Sequence, residues 1–168
     1  MTNDSRPGMD IPETAQLPYR PCVGIVLINP DGRIFTARRS DTPEAWQMPQ
    51  GGIDPGEAVD AAAFRELHEE TGVSNARILD RMPEWVTYDL PEHLIGKVWG
   101  GRYRGQKQMW VAMAHDGDDR DIDLAHHAPE FDAWRWSTPE MVLADIVPFK
   151  RGVYSRILDQ FSPYFVQR

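Results

Sequence analysis

The stretch from Glu57 to Thr71 constrains the fold of this chain more than any other. Its residues favour a helix, and Gly72 follows at the position where a glycine commonly ends one. At about 100° per residue, Ala63, Phe64 and Leu67 lie on a side predicted to face a core, while three glutamates share a different face. A helix of this kind needs a packed domain in which to bury its apolar side.

The preceding part of the chain predicts a strand pair and a loop. Cys22 to Ile28 is apolar and β-branched, so we expect a buried strand that turns at residues 29–32 and returns over 33–38. Residues 40–56 contain three prolines and three glycines, which favour a structured loop.

The second half of the chain mixes strands with helices. Strand-like runs lie at 76–80, 83–88, 109–114 and 131–136. Thr138-Pro139-Glu140 is typical of the start of a short helix, and a final helix is predicted from about residue 148 to 161. Strands combined with two or three helices indicate an α/β or α+β fold.

Length and charge narrow the class of protein. The 168 residues, 41% apolar and 26% charged, suit one domain, expected at 19–163 after a polar leader at 1–18 expected to be disordered. The net charge of 18 − 26 = −8 disfavours binding along a nucleic-acid backbone, because that affinity comes from lysine and arginine. A nucleic-acid substrate would be held at one end, in a locally basic pocket, and DNA is not expected as a partner.

Cysteine usage and apolar runs predict the compartment. Cys22 is the only cysteine, so no internal disulfide can form, and this fits a reducing environment. The first residues lack the apolar segment of a secretory signal, and no apolar run is long enough to span a bilayer. We therefore expect a cytoplasmic protein with no membrane partner, and a monomer is favoured.

Glu66, Glu69 and Glu70 fall at positions i, i+3 and i+4, within an arc of roughly 100° on one helix face. Exposed like charges at this spacing repel by about 0.2–0.5 kcal/mol per pair, and a divalent cation would reverse that sign. Carboxylates suit Mg²⁺ or Mn²⁺. A solvated acidic face is the commoner meaning of three glutamates alone. Their flanks weigh against it, since two glycines precede the helix and Arg65 could pair with Glu57.

With those flanks, the segment GGIDPGEAVDAAAFRELHEETGV resembles the Nudix hydrolase signature, G-x5-E-x7-R-E-U-x-E-E-x-G-U with U aliphatic. Nine specified positions within 23 residues are filled. They are Gly51, Glu57, Arg65, Glu66, Leu67, Glu69, Glu70, Gly72 and Val73. The resemblance implies a mixed β-sheet between helices and hydrolysis of a nucleoside diphosphate linked to another group.

The same resemblance assigns roles to the signature residues. It implies that Glu66, Glu69 and Glu70 are catalytic and bind Mg²⁺, with Mn²⁺ or another divalent metal as alternatives, and that the Gly51 backbone also faces metal. Glu57 and Arg65 resemble the structural ion pair of the family. The implied mechanism is attack of a metal-activated water on phosphorus.

Beyond the signature, about residues 19–161 resemble the branch of RNA 5′-pyrophosphohydrolases and dinucleoside tetraphosphate hydrolases. The similarity is carried by YRPCVGIVLIN, ARR, WQMPQGGI, GQKQMW, PEFDAWRW and FKRGVYSRIL. By this resemblance Arg20, Arg39 and Lys150 would bind phosphates, and Glu130 would be a fourth catalytic or metal-binding carboxylate. Possible base or loop contacts are Tyr88, Gln106, Lys107 and Phe149.

The leading hypothesis is removal of pyrophosphate from the 5′-triphosphate end of RNA, leaving a monophosphate. The second is asymmetric cleavage of diadenosine or another dinucleoside tetraphosphate, which WQMPQGGIDPGE also resembles. A third, from another class, is a sensor that binds a nucleotide without cutting it. The complete set of metal-ligand positions weighs against the sensor, which would not need all of them.

Overall fold

A computed structural model describes residues 16–125, 127 and 129–166. Most of the expected leader at 1–18 lies outside the described residues. The strands are β1 (Tyr19–Ile28), β2 (Ile34–Arg39), β3 (Trp46–Gln47), β4 (Gln50–Gly52), β5 (Ala76–Arg81), β6 (Val86–Asp89), β7 (Gly105–His115) and β8 (Phe131–Ser137). The α-helices are α1 (Val59–Thr71), α2 (Pro139–Asp145) and α3 (Arg151–Gln160).

The strands form one mixed sheet, whose main path runs β3-β2-β1-β7-β5. Strand β4 also pairs with β1, β6 with β7, and β8 with β2. The pairing of β1 with β7 is parallel and runs from Tyr19 opposite Gly105 to Ile28 opposite Ala114. This register joins two distant parts of the chain and places their side chains in shared rows across the sheet.

Both faces of the sheet are covered, which explains why β1 is apolar along most of its length. Val23, Ile25 and Leu27 pack in a core with Leu67 of α1. The alternate residues Val26 and Ile28 pack in a second core that includes, from α2 and α3, Val142, Tyr154, Ile157 and Leu158. The fold is therefore the predicted mixed sheet between helices.

The helix boundaries follow from local chemistry. Gly72 ends α1 at φ 76°, the left-handed cap expected from the sequence. Thr138 caps α2 by accepting a hydrogen bond from the Met141 amide, and Pro139 is the first helical residue. The final helix starts at Arg151 rather than near 148, because one 3₁₀ turn precedes it. Within the part of the chain that is described, no helix has the length and apolar character needed to cross a membrane.

Several expectations about single residues and ranges were wrong. Phe64 was expected to face the core but is 41% exposed, because the buried side of α1 is centred on Ala63 and Leu67. The structured loop expected at 40–56 is present, and it also contains the two short strands β3 and β4. Gln106 and Lys107 were expected in a loop before a strand, yet both lie within β7, which starts four residues earlier than predicted.

Candidate active site

A cavity of about 710 Å³ collects most of the residues singled out in the sequence. One group of its lining residues is acidic and comprises Asp41, Glu66, Glu69, Glu70 and Glu130. A second group is basic and comprises Arg20, Arg39 and Lys150. Aromatic and amide side chains also line the cavity, among them Gln50, Tyr88, Trp99, Gln106 and Phe149. The fold thus brings cations and carboxylates from separate elements to one space.

Arg65 ties the loop before α1 to the helix itself. Its Nε and Nη2 each donate to a different oxygen of Glu57 at 2.8 Å, and Nη2 also donates to the Gly52 carbonyl at 2.9 Å. The Arg65 guanidinium lowers the pKa of Glu57 to about 2. This forked geometry holds the loop against the helix, so the backbone of Gly51 is fixed beside the glutamates.

Glu66 lies between Arg65 and the backbone of Gly51. The Nη1 atom of Arg65 donates to Glu66 at 2.8 Å and to Glu69 at 3.4 Å. Burial raises the pKa of Glu66, and the guanidinium of Arg65 opposes that rise. A β-carbon at position 51 would overlap the Glu66 carboxylate where it now lies, so any larger residue would require that side chain to move.

Glu70 is the most strongly perturbed carboxylate of the cavity. Burial, followed by the charges of Glu130 and Glu66, raises its pKa well above the ordinary value. Its carboxylate accepts a hydrogen bond of 3.2 Å from the backbone amide of Gln50. A desolvated carboxylate repelled by two neighbours is a group that a cation would stabilise.

Glu130 reaches the cavity from the segment before β8. Its backbone carbonyl accepts hydrogen bonds from both the amide and the hydroxyl of Ser40, each at 3.0 Å. These bonds anchor the segment to the end of β2, so an exposed side chain arises from a fixed backbone position. Its charge contributes to the raised pKa of Glu70, and both carboxylates line the same cavity.

The four glutamates offer the hard oxygen ligands that suit a divalent cation. Across residues 16–125, 127 and 129–166, however, no three acidic, histidine or cysteine groups already converge into a metal cluster. The reason is visible at Arg65, toward which Glu66 and Glu69 are both turned. The donor chemistry fits a cation, provided that these two side chains rotate away from the guanidinium.

The three cations have different partners. Arg39 forms a forked pair with Asp41 at 2.8 and 2.7 Å. The ammonium of Lys150 lies 5.5 Å from the centre of the Tyr88 ring and 5.8 Å from that of Phe149. Burial, and then the charge of Arg39, lowers the pKa of Lys150 to about 8. Lys150 has no carboxylate partner among the described residues, so its charge is available to an anion.

Arg20 is the third cation that lines the cavity. Its guanidinium lies 5.7 Å from the centre of the Trp99 ring, and Nη1 donates to the Cys22 sulfur at 3.4 Å. Cys22 is fully buried in β1, and burial raises the pKa of its thiol to about 11. The thiol is therefore protonated at neutral pH and inert, as expected of a core cysteine.

The possible base contacts divide into two kinds. The rings of Tyr88 and Phe149 have centroids 5.7 Å apart, and Phe149 is 41% exposed at the cavity. Gln106 also lines the cavity, whereas Lys107 does not. Consecutive strand residues face opposite sides, and the Lys107 ammonium instead lies 5.3 Å from the centre of the Trp85 ring. A cavity contact for Lys107 is thus not supported.

Leu94, Val98 and Trp99 form a wall of the cavity that was not predicted from the sequence. Trp99 is the one non-glycine residue of the described ranges with a positive φ, at 52°. The neighbouring glycines of GKVWGG were the available signal, since they indicate a sharply turning backbone. His127 also lines the cavity.

Comparison with known proteins places this geometry in a family. The NUDIX domain model matches residues 18–157. An RNA pyrophosphohydrolase of Rhodospirillum rubrum is 54% identical over 152 residues, covering 90% of this chain and 92% of that protein.

Solved structures agree on the fold. The Escherichia coli dihydroneopterin triphosphate pyrophosphohydrolase has a TM-score of 0.67 at 21% identity, covering 85% of this chain and 99% of that one. A Caenorhabditis elegans Ap4A hydrolase binary complex has a TM-score of 0.62 at 21% identity, covering 87% and 99%. The match to the domain model spans every strand of the sheet and the whole signature segment. The chain therefore belongs to the Nudix family and is a hydrolase that acts on phosphoanhydride bonds, in a family whose members generally use divalent metal ions.

Proposed function

We propose that this protein removes pyrophosphate from the 5′-triphosphate end of RNA and leaves a 5′-monophosphate. The observation that carries the proposal is the 54% identity, across 90% of the chain, to a relative named RNA pyrophosphohydrolase. The cavity supports it, because acidic and basic side chains line the same space. A cavity with both groups suits a substrate whose phosphates need metal ions, held by the acidic side chains, and direct contacts with the basic ones.

In this proposal, Glu66, Glu69, Glu70 and Glu130, together with the backbone of Gly51, hold Mg²⁺, or Mn²⁺ or another divalent ion. When bound, the metal lowers the pKa of an attacking water and neutralises phosphate charge. One of the cavity carboxylates accepts the proton of that water, with Glu66, Glu69 and Glu130 as the candidates. The repulsion around Glu70 supports the metal assignment, since a cation relieves it.

Arg20, Arg39 and Lys150 hold the phosphate chain. Lys150 is suited to this role because it has no carboxylate partner in the described part of the chain, so no ion pair must break. Arg39 keeps Asp41 as a partner, which orients its guanidinium beside the cavity. Tyr88 and Phe149 supply aromatic surface on which a base can stack.

The net charge of −8 supports recognition of an RNA end rather than binding along a strand. The cations of the cavity then act locally on the terminal phosphates, and the rest of the RNA remains largely outside. We place the activity in the cytoplasm and favour a monomer as the working unit, in agreement with a single buried cysteine that offers no disulfide.

The test compares kcat/KM on 5′-triphosphorylated RNA and on diadenosine tetraphosphate, with Mg²⁺ and with chelator. We expect metal-dependent release of pyrophosphate and a preference for RNA, and Glu69→Gln should abolish both activities. A large preference for the dinucleotide would replace the proposal with dinucleoside tetraphosphate hydrolysis. Binding without metal-dependent turnover of either substrate would instead favour a nucleotide sensor.

A further inference from the structure

Three glutamines and one tryptophan form a connected hydrogen-bond chain at the wall of the cavity. Gln106, Gln108 and Trp110 are alternate residues of β7, so their side chains leave the same face of the strand. The first two are each 2% exposed, and Trp110 is fully buried. Gln50 of β4 joins them through its side chain. Polar groups buried this deeply need defined partners.

The indole N–H of Trp110 determines which way each amide points. It lies 2.8 Å from the side-chain oxygen of Gln108, and an indole N–H can only donate. The oxygen of Gln108 is therefore turned toward the indole. Its NH₂ group donates to the side-chain oxygens of Gln106 at 2.7 Å and Gln50 at 2.8 Å. Both hydrogens of that nitrogen are thereby used.

Gln50 and Gln106 must consequently direct their own NH₂ groups elsewhere. Both residues line the cavity. Neither side-chain nitrogen has a hydrogen-bond partner among the residues that the structure describes. If either amide were reversed, it would present a carbonyl oxygen to the cavity and leave two N–H groups facing those of Gln108. The hydrogen-bond chain thus favours the orientation in which both side-chain amides present N–H donors, rather than carbonyl acceptors, to the cavity.

Trp110, the first donor of this hydrogen-bond chain, cannot shift easily. Gly24 of β1 lies opposite Trp110, and a side chain on Gly24 would overlap the indole ring. On α3, Tyr154 packs edge-on against that ring, with centroids 5.6 Å apart and planes at 79°. The Tyr154 hydroxyl accepts a hydrogen bond of 3.1 Å from the Met48 amide. The indole is therefore held by packing on more than one side.

One donor residue adjoins a cation of the cavity, and the other adjoins one of its carboxylates. Across the sheet, Gln106 pairs with Arg20 on one side and with Tyr88 on the other. Gln50 is joined to Glu70 through its backbone amide. A phosphate chain that spans the cations and the carboxylates would pass these amides, and its oxygens can only accept hydrogen bonds.

We propose that Trp110 and Gln108 are positioning residues, which hold the amides of Gln50 and Gln106 as neutral donors for the non-bridging oxygens of a bound polyphosphate. The inference rests on the proposed function only in taking a phosphate chain as the ligand. Neutral donors suit this place, because an additional cation there would pair with the nearby carboxylates instead of binding the phosphates of the substrate.

The first experiment measures binding of inorganic pyrophosphate with Mg²⁺ to the wild type and to Trp110→Phe, which keeps a ring but removes the N–H. Gln108→Leu interrupts the same chain at its next member and serves if the first variant folds poorly. Each should weaken binding by about fivefold to tenfold, the factor expected for one or two neutral hydrogen bonds. Combining the two substitutions should add little, since both break one chain.

The matched control is Thr36→Val, which removes a buried hydrogen bond of 2.7 Å to Ser137 outside the cavity. It should lower stability without changing pyrophosphate binding. In turnover assays the Trp110 and Gln108 variants should raise KM more than they lower kcat. In nuclear magnetic resonance spectra, pyrophosphate should shift the side-chain NH₂ signals of Gln50 and Gln106 in the wild type, and shift them less in Trp110→Phe.

Wild-type affinity in both folded variants, strictly additive losses, or NH₂ signals indifferent to pyrophosphate would each overturn the positioning role. Failure of the RNA proposal would look different. A wild type that cuts diadenosine tetraphosphate but not RNA would change the assigned substrate and leave the pyrophosphate measurements valid.

Discussion

Replacing Glu70 with glutamine should separate the activity of the protein from its stability. Without metal, the Glu70 carboxylate is penalised by burial and by the charges of Glu130 and Glu66. The Glu70 carboxylate accepts a hydrogen bond of 3.2 Å from the backbone amide of Gln50, and a glutamine side chain at position 70 retains an oxygen for that bond. The substitution therefore removes an unfavourable charge while leaving the local hydrogen bonding intact.

The magnitude follows from the cost of an inadequately paired buried group, about 1–3 kcal/mol. In chelator at neutral pH, Glu70→Gln should be more stable than the wild type by about that amount, which raises Tm by about 2–10 °C in a chain of this size. The folded-state pKa of Glu70 is raised, so the penalty is present above that pKa and disappears as pH falls toward the ordinary value of 4.5. The difference in stability between Glu70→Gln and the wild type should therefore shrink as pH falls.

Thermal unfolding followed by circular dichroism, with Mg²⁺ and with chelator, measures these effects. Mg²⁺ should stabilise the wild type more than Glu70→Gln, and turnover by the variant should fall by orders of magnitude. Glu44→Gln, at an exposed glutamate outside the cavity, is the matched control and should change neither property. A variant less stable than the wild type in chelator, or an equal Mg²⁺ effect on both proteins, would refute the reasoning.

Three further changes test other parts of the site. Lys150→Ala should raise KM, and the wild-type KM should itself rise as pH increases through about 8, where Lys150 loses its charge; an unchanged pH profile in the variant would contradict a phosphate-binding role. Gly24→Ala should lower the free energy of unfolding by about 1–3 kcal/mol in urea titrations, because its methyl group would overlap Trp110. Arg65→Lys should lower it by about 1–3 kcal/mol through lost charged hydrogen bonds to Glu57 and Gly52, and an unaltered midpoint would show that the loop is held by other contacts.

The parts of the fold that the sequence predicted well are those with local signals. Gly72 and Thr138 mark helix ends through backbone conformation and capping, which a short stretch of sequence contains. The apolar run of β1 indicates a strand buried on both faces, and the two cores agree. The glutamates of α1 are close in sequence, so their common face follows from helix geometry alone.

The predictions that were wrong concern mainly residues that are buried although they are polar. Strand β7 begins at Gly105, but its first half carries Gln106 and Gln108, which are buried although polar. Polar residues on a strand that faces a cavity resemble a loop when only hydropathy is considered. The role of Trp99 depends on a backbone φ of 52° and a contact with Arg20, and neither follows from local sequence. Tertiary contacts decide such positions.

The parallel pairing of β1 with β7 also affects when the enzyme can fold during its synthesis. Arg20 is near the start of the domain and Gln106 lies beside it only after the intervening strands and α1 have been made. Lys150 follows later still, so a chain emerging from the ribosome carries the signature helix long before it can have a substrate pocket. Contacts between such distant residues form slowly. Activity should therefore appear only when synthesis of the domain is nearly finished.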